Sequence, residues 1–430
     1  MVSARLNILG YHISEELYNE ERTLVYRGYG DDQKPVVIKL LKNPYPSFSE
    51  LAQFRNQYTI AKNLNFPGII QTYSLEPYQN GYVLVMEDGG ISLKEWTRGI
   101  PLSLTEFLPV ALALCDIVNI LNRHRIIHKD IKPANILINA DKQVKLIDFS
   151  LASDLPREAQ TIISPNVLQG TLGYLSPEQT GRMNRGIDYR TDFYSLGVTF
   201  YELLTGQLPF QSDDAMELIH CHIAKLPPTV HDINPQVAPV LSKIISTLMA
   251  KNAEDRYQSA LGLKYDLEIA WKQLQETGKI EDFQIAQRDV CDRFIIPEKL
   301  YGREQEVQTI LEAFNRVTHG QTELMLVAGF SGIGKTAIVN EVHKPIVTKR
   351  GYFIKGKFDQ FNRNLPFSAF VQALSDLMRQ LVSESDRALE TWKNKILTAL
   401  SDNAQVIIEV IPELELIIWK QPKTVNLSGT

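Results

Sequence analysis

Cysteine is scarce, with Cys115, Cys221 and Cys291 the only three in 430 residues. Their wide spacing fits neither a disulfide framework nor a zinc site, so they read as buried thiols in a reducing compartment. An excess of charge is missing too: 45 basic against 50 acidic side chains give a net charge of -5. That balance removes the electrostatic case for nucleic acid or an anionic membrane as the main partner. The first residues, Met-Val-Ser-Ala-Arg-Leu-Asn, lack the basic, apolar and small-residue order of a secretory leader. The longest apolar stretch, residues 108–121, is interrupted by Asp116 and Asn119 and falls short of the roughly 20 residues that a bilayer requires. Neither an internal repeat nor a low-complexity tract is visible. These absences point to a cytoplasmic protein. A hydrophobic content of 44% with 22% charged residues allows sizeable cores, and the length calls for two domains.

What is present changes character along the chain. Residues 22–41 read as two strands joined by a polar Gly/Asp-rich hairpin, with Lys39 on the second strand. Ser47 and Glu50 form a capping-box pattern ahead of Leu51, Phe54, Tyr58, Ala61 and Leu64 at helical spacing. Residues 82–87 make another strand, ending in Asp88-Gly89-Gly90. From Ser103 and Glu106, a second capping box, the pattern turns helical: one helix to about residue 124, another from near Asp192 to Gly206, and amphipathic stretches near 213–224, 238–250 and 258–275. Residues 276–299 read as a linker, and α/β alternation begins at Tyr301.

The chemistry sits in two stretches: His128-Lys129-Asp130-Ile131-Lys132-Pro133-Ala134-Asn135, then Asp148-Phe149-Ser150. Phosphoryl transfer needs a carboxylate to accept a hydroxyl proton and oxygen ligands to hold magnesium against phosphates. These stretches resemble the catalytic and metal-binding loops of protein kinases. The resemblance implies an α+β two-lobed fold over residues 1–275, with a β-rich lobe to about residue 89 and a helical lobe from 90. It implies Asp130 as catalytic base, Asn135 and Asp148 as Mg2+ ligands, and Lys39 on the ATP phosphates. Val25, Val37 and Leu137 match positions around the adenine, and Met86, Glu87 and Gly89 match the hinge. Lys132, two residues past the base, resembles kinases that act on serine and threonine, which implies a protein substrate, the chain itself included. Gly170, Thr171 and Glu178 match the substrate-flanking loop and the A-P-E motif. Asp192 matches the aspartate that holds the catalytic loop, and Arg256 the partner of Glu178.

The pattern departs in the ATP-gripping half. Tyr18, Glu20 and Thr23 stand where the phosphate loop has glycines, and side chains there, one of them acidic, hinder close approach of backbone N–H groups to phosphates. Gln57 stands where a glutamate pairs with the strand lysine. Lys129 replaces an arginine and Ser150 a glycine. Lysine cannot clamp a phosphorylated loop bidentately, so phosphorylation of Thr161 or Ser164 is not expected to be obligatory. Three readings arise: a serine/threonine kinase in signal transduction, a pseudokinase that docks to and regulates an attached ATPase, or an NTP-driven switch whose main activity is that ATPase.

A second nucleotide motif follows. Residues 323–328 read as a strand running into Gly329-Phe330-Ser331-Gly332-Ile333-Gly334-Lys335-Thr336, a full P-loop match. Its backbone would cradle phosphates, with Lys335 on the β and γ oxygens and Thr336 on Mg2+. With Tyr301-Gly302-Arg303-Glu304 ahead of it, the region resembles AAA-type ATPases. Residues 300–430 are expected to be the beginning of an α/β P-loop domain, since the second acidic strand of that family is not recognisable. The order of kinase, Y-G-R-E and P-loop is similar to the N-terminal part of large bacterial signalling proteins, in which a serine/threonine kinase of the eukaryotic-like family precedes an ATPase, sensor modules and a histidine kinase.

Overall fold

The computed structural model describes residues 10–19, 22–154, 172–183, 185–291, 300–330, 332–341, 346, 351–358, 367–382, 384 and 386–422. The N-terminal lobe is a five-stranded antiparallel sheet of β1 (Tyr11–Asn19), β2 (Thr23–Gly30), β3 (Pro35–Leu41), β4 (Thr72–Tyr78) and β5 (Gly81–Glu87), in spatial order β1-β2-β3-β5-β4. Alternation in β3 sends Val36, Ile38 and Leu40 into a small core with Tyr26, Val83 and Val85. The intervening residues Val37 and Lys39 therefore face the opposite side of the sheet. Helix α1 (Phe48–Lys62) packs there, its start fixed by the Ser47/Glu50 capping box, with Phe54, Gln57 and Ala61 buried.

A short β6 (Ile91–Ser92) crosses into the second lobe and pairs with β7 (Ile136–Ile138), which pairs with β8 (Val144–Leu146). The crossing is tight. Gly90 has φ 102°, and a Cβ there would lie 2.3 Å from the Ile138 carbonyl oxygen, so only glycine fits without moving the backbone. The lobes are also stitched together at β8, where Ile70 N–H donates to Leu146 O at 3.1 Å and Leu146 N–H to Gly68 O at 2.8 Å.

The larger lobe is built on helices α2 (Leu93–Thr97), α3 (Leu104–Arg123), α4 (Arg190–Thr205), α5 (Ala215–Ala224), α6 (Val230–Ile233), α7 (Pro239–Leu248) and α8 (Ala260–Thr277). Helix α4 is almost entirely buried and stops at Gly206 in the left-handed conformation, as a C-terminal glycine allows. Helix α3 is 20 residues long, so it meets the length and apolarity of a membrane span although the apolar stretch seen in the sequence is shorter. Its Leu114, Val118 and Leu121 are buried in the main core of this lobe.

Part of the stretch expected to be a linker is docked instead. Helix α8 ends at Gly278, and the segment to residue 291 returns along it. Asp289 accepts from Gln258 N–H at 2.7 Å, Ser259 N–H at 2.8 Å and Ser259 Oγ at 2.8 Å, capping α8 from outside. Asp266 likewise accepts from Ala286 N–H at 2.7 Å. Acidic and amide side chains in this stretch, which look like those of a solvated linker, are used as caps.

Beyond residue 300 the regular elements among the described residues are helices: α9 (Glu304–Thr318), α10 (Lys335–Asn340), Ser368–Val382, Asp386–Leu400, Ala404–Val410 and Glu415–Ile418, with short 3-10 turns between some of them. The strand expected at 323–328 is absent, and Leu324 and Leu326 are 98% and 93% exposed. A run of this kind becomes a buried strand only between two neighbours, and the described residues beyond 300 include no strand to pair with it.

Candidate active site

The loop between α3 and β7 is shaped by a residue far along the chain. Asp192, buried in the first turn of α4, accepts from the backbone N–H of His128 and of Lys129, both at 2.8 Å. Lys129 is left-handed, with φ 67°, a conformation that costs a non-glycine residue energy and that these two bonds hold in place. Burial keeps His128 neutral by lowering its pKa. Its Nε2 lies 3.0 Å from Ile147 O and its Nδ1 accepts from Asp130 N–H at 3.3 Å, which sets the tautomer with the proton on Nε2.

Asp130 is presented at the end of this scaffold, and its two oxygens are treated differently. Oδ2 accepts from Lys132 Nζ at 2.9 Å and Asn135 Nδ2 at 2.7 Å. Oδ1 is buried and has no hydrogen-bond partner among the described residues. Burial pushes the carboxyl above the ordinary carboxylate range, against the pull of Lys132. One oxygen is thus anchored, and the other is left to accept a hydrogen bond from something that enters the cleft.

Across the cleft, Lys39 Nζ lies 3.1 Å from Asp148 Oδ2 and 3.1 Å from Gln57 Oε1. Burial alone would raise the Asp148 carboxyl, yet the Lys39 ammonium and the Ser150 side chain bring it down to about 2. Asp148 is left-handed as well, with φ 64°. Phe149 behind it is fully buried, with its ring edge-on to His128 at 4.9 Å, so the two loops lock each other. The carboxylate of Asp148 and the amide of Asn135 offer hard oxygen donors, the type that magnesium takes.

The remaining residues singled out in the sequence fall into three groups. Val25 pairs in register with Lys39, and Val37 with Met86. Val37, Met86 and Leu137 join one apolar cluster, and Gly89 lies so close to Leu137 that an added Cβ would be 2.8 Å from its Cδ1. Glu87 contributes only backbone to such a pocket, because its side chain is held by Lys145 Nζ at 2.6 Å and Gln71 N–H at 2.7 Å. Glu178 is not on the substrate surface: it is buried against Arg256. Gly170, Thr171, Thr161, Ser164 and Glu20 lie outside the described residues. In the second motif, Gly332 and Gly334 take φ 80° and 96°. Lys335 Nζ turns back to Gly329 O at 2.9 Å and Phe330 O at 2.7 Å, and Thr336 opens the helix behind it.

Two contacts at the cleft have no counterpart in the sequence reading. Arg27 on β2 reaches Asp88 within the hinge, Nε to Oδ2 at 2.7 Å, and Asn56 on α1 reaches the segment after Asp148. Asn56 carried one available signal, a short amide beside Gln57 on a half-buried helix.

Residues 11–266 match the protein kinase domain family. The chain belongs to the protein kinase family. Beyond this kinase domain, residues 299–417 match the AAA ATPase domain, so the same chain carries both. A hybrid signal transduction histidine kinase G of Dictyostelium discoideum is 35% identical over 76% of the chain, which spans 12% of that protein. Histidine protein kinase 1 of Candida albicans is 24% identical over 97% of the chain, which spans 19% of it. The serine/threonine-protein kinase PrkC of Bacillus subtilis is 33% identical over 55% of the chain, which spans 37% of it. The chain therefore spans well under half the length of these relatives.

Proposed function

We propose that the kinase domain transfers the γ-phosphoryl group of ATP to a serine or threonine hydroxyl of a protein, in a signalling pathway inside the cytoplasm. The observation that carries this reading is Asp130: one oxygen saturated by Lys132 and Asn135, the other buried and unengaged among the described residues. The hydroxyl proton passes to Oδ1 as the hydroxyl oxygen bonds to phosphorus and the bond to the β-γ bridging oxygen breaks, releasing ADP. Raising the carboxyl toward neutrality strengthens it as a base, while Lys132 keeps it ionised. Lys132 also supplies positive charge beside the transferred group, and Lys39, held by Asp148 and Gln57, supplies it to the α and β phosphates. Magnesium, held by Asn135 and Asp148, would neutralise phosphate charge. Val25, Val37, Leu137 and the backbone from Met86 to Gly89 would enclose the base.

Two of the relatives are named histidine kinases and span much more sequence than this chain. We place the kinase domain ahead of such modules, with the chain itself or a signalling partner as substrate and the P-loop as a second ATP site. Incubating the chain with γ-labelled ATP and magnesium beside Asp130→Ala, Asp148→Ala and Lys335→Ala tests the assignment. Transfer lost in the first two and kept in the third is expected. Equal transfer in all four refutes it, and ATP binding without transfer marks a docking module instead.

A further inference from the structure

We infer that Asn56 is the positioning residue that ties helix α1 to the loop after Asp148, in place of the charge pair that Gln57 cannot make. This inference rests on the kinase reading of the same site. Asn56 Nδ2 lies 2.7 Å from Ala152 O, 3.1 Å from Ser150 O and 3.3 Å from Phe149 O. One amide nitrogen, with two hydrogens, thus serves three carbonyls of a single turn, which is itself closed by Ala152 N–H to Phe149 O at 3.2 Å. The turn is pinned at its far end by the two bonds between Ser153 and Ile127, both 2.9 Å. Ile127 begins the Asp130 loop, so Asn56 joins α1 to both loops of the site at once.

The neighbouring residue explains why this matters. Gln57 is 1% exposed and accepts from Lys39 Nζ at 3.1 Å. That bond has a charged donor but a neutral acceptor, so it is weaker than the ion pair a glutamate would make there. Among the described residues, the polar contacts of α1 across the cleft are therefore two adjacent amides: Gln57 upward to β3 and Asn56 downward to residues 149–152. Losing Asn56 leaves the helix free to swing from the cleft, and the carbonyls of Ser150 and Ala152 lose this donor while Phe149 O keeps the Ala152 N–H. Lys39 and Asp148 then lose their mutual placement although neither has been altered.

The test uses the full chain with Asn56→Ala, Asn56→Asp, Gln57→Glu and the Asn56→Ala/Gln57→Glu double variant. Phosphotransfer kinetics and amide hydrogen exchange are measured on each. Asn56→Ala should lower kcat about tenfold or more, leave the melting temperature near wild type and speed exchange in 149–153. Asn56→Asp, the same shape without a donor, should be as impaired. The double variant should recover kcat, because a glutamate at 57 restores the ionic tie to Lys39. Retention of kcat within about twofold in Asn56→Ala, or a loss of activity that tracks global unfolding and is not rescued by Gln57→Glu, overturns the inference. Should wild type transfer no phosphate, the kinase reading fails, and exchange alone decides for Asn56: faster exchange in 149–153 supports the tie, and unchanged exchange overturns it.

Discussion

Truncating Arg256 to alanine should destabilise the kinase domain more than any change at its surface. The guanidinium has five N–H hydrogens, and five acceptors meet them. Nη1 lies 2.6 Å from Glu178 Oε1 and 2.9 Å from Arg190 O, Nη2 lies 2.8 Å from Glu178 Oε2 and 3.3 Å from Lys251 O, and Nε lies 2.8 Å from Ala250 O. The side chains of Arg256 and Glu178 are 0% and 5% exposed, so no solvent can replace either partner. Removing one member of such a pair costs about 3–5 kcal/mol, which at roughly 2–4 °C per kcal/mol lowers the melting temperature by about 6–20 °C. The cost has a built-in limit with a sign. In the wild type, burial would raise the Glu178 carboxyl, but Arg256 and Thr191 hold it below its ordinary 4.5. Its contribution is therefore present above that value and fades only as pH falls through the lowered one. Without Arg256 burial acts almost alone, the carboxyl moves above 4.5, and the folded state binds the extra proton. Stability of the variant must then fall as pH rises. The melting gap between variant and wild type should widen from about pH 5.5 to about pH 8. Replacing both members together, as Glu178→Gln with Arg256→Met, should close more than half of it, since no uncompensated charge is then left buried. Differential scanning fluorimetry of the full chain at both pH values reads all three. A variant melting within about 2 °C of wild type, or a gap independent of pH, refutes the reasoning.

Three further outcomes follow from the same structure. Asp148→Asn should remove stability on the order of 2 kcal/mol at neutral pH, an advantage present above 3.8 and lost as pH falls toward about 2, so urea midpoints of wild type and variant should converge in acid. Gly90→Ala must fit a Cβ 2.3 Å from a carbonyl oxygen; the backbone shift should cost about 1–3 kcal/mol and raise KM for ATP more than it lowers kcat, read in steady-state kinetics. Asp289→Ala removes three bonds at the start of α8 and should cost about 1–2 kcal/mol, seen as faster hydrogen exchange at residues 259–262 with phosphotransfer unchanged.

What could be read ahead of the structure was local. The Ser47/Glu50 and Ser103/Glu106 boxes fix two helix starts within four residues of chain, and Gly206 ends a helix by its own conformation. The catalytic stretch is legible because Asp130, Lys132 and Asn135 make their bonds to one another. The strands that passed unnoticed, Tyr11–Asn19 and Thr72–Tyr78, are the two edges of the sheet. Edge strands tolerate Glu15, Glu16 and Pro77 and show no clean alternation. The opposite error, a strand expected at 323–328, shows how an apolar run specifies burial without specifying its neighbours. The partners of Asn56 and Asp289 were not legible for one reason: they lie 93–96 and 30–31 residues away, where no spacing rule reaches.

The distribution of those long-range bonds bears on how the two lobes divide their work. In the helical lobe the site hangs on buried charge: Asp192 under the Asp130 loop, and Glu178 with Arg256 behind α4. Groups of that kind are costly to disturb, because the partner left behind stays in a dry interior. In the sheet lobe Lys39 and Arg27 still make charged contacts, to Asp148 and Asp88, but helix α1 is tied by neutral amides, Asn56 and Gln57, and the ends of the first hairpin carry side chains where glycines would admit phosphates. A neutral amide can be released without stranding a charge. On the proposed reading, the groups for phosphoryl transfer sit on the lobe held by buried charge, and those for gripping ATP on the lobe whose helix is held by neutral amides. Control of the proposed activity should therefore act on the placement of α1 rather than on Asp130, whose loop Asp192 holds from the buried side.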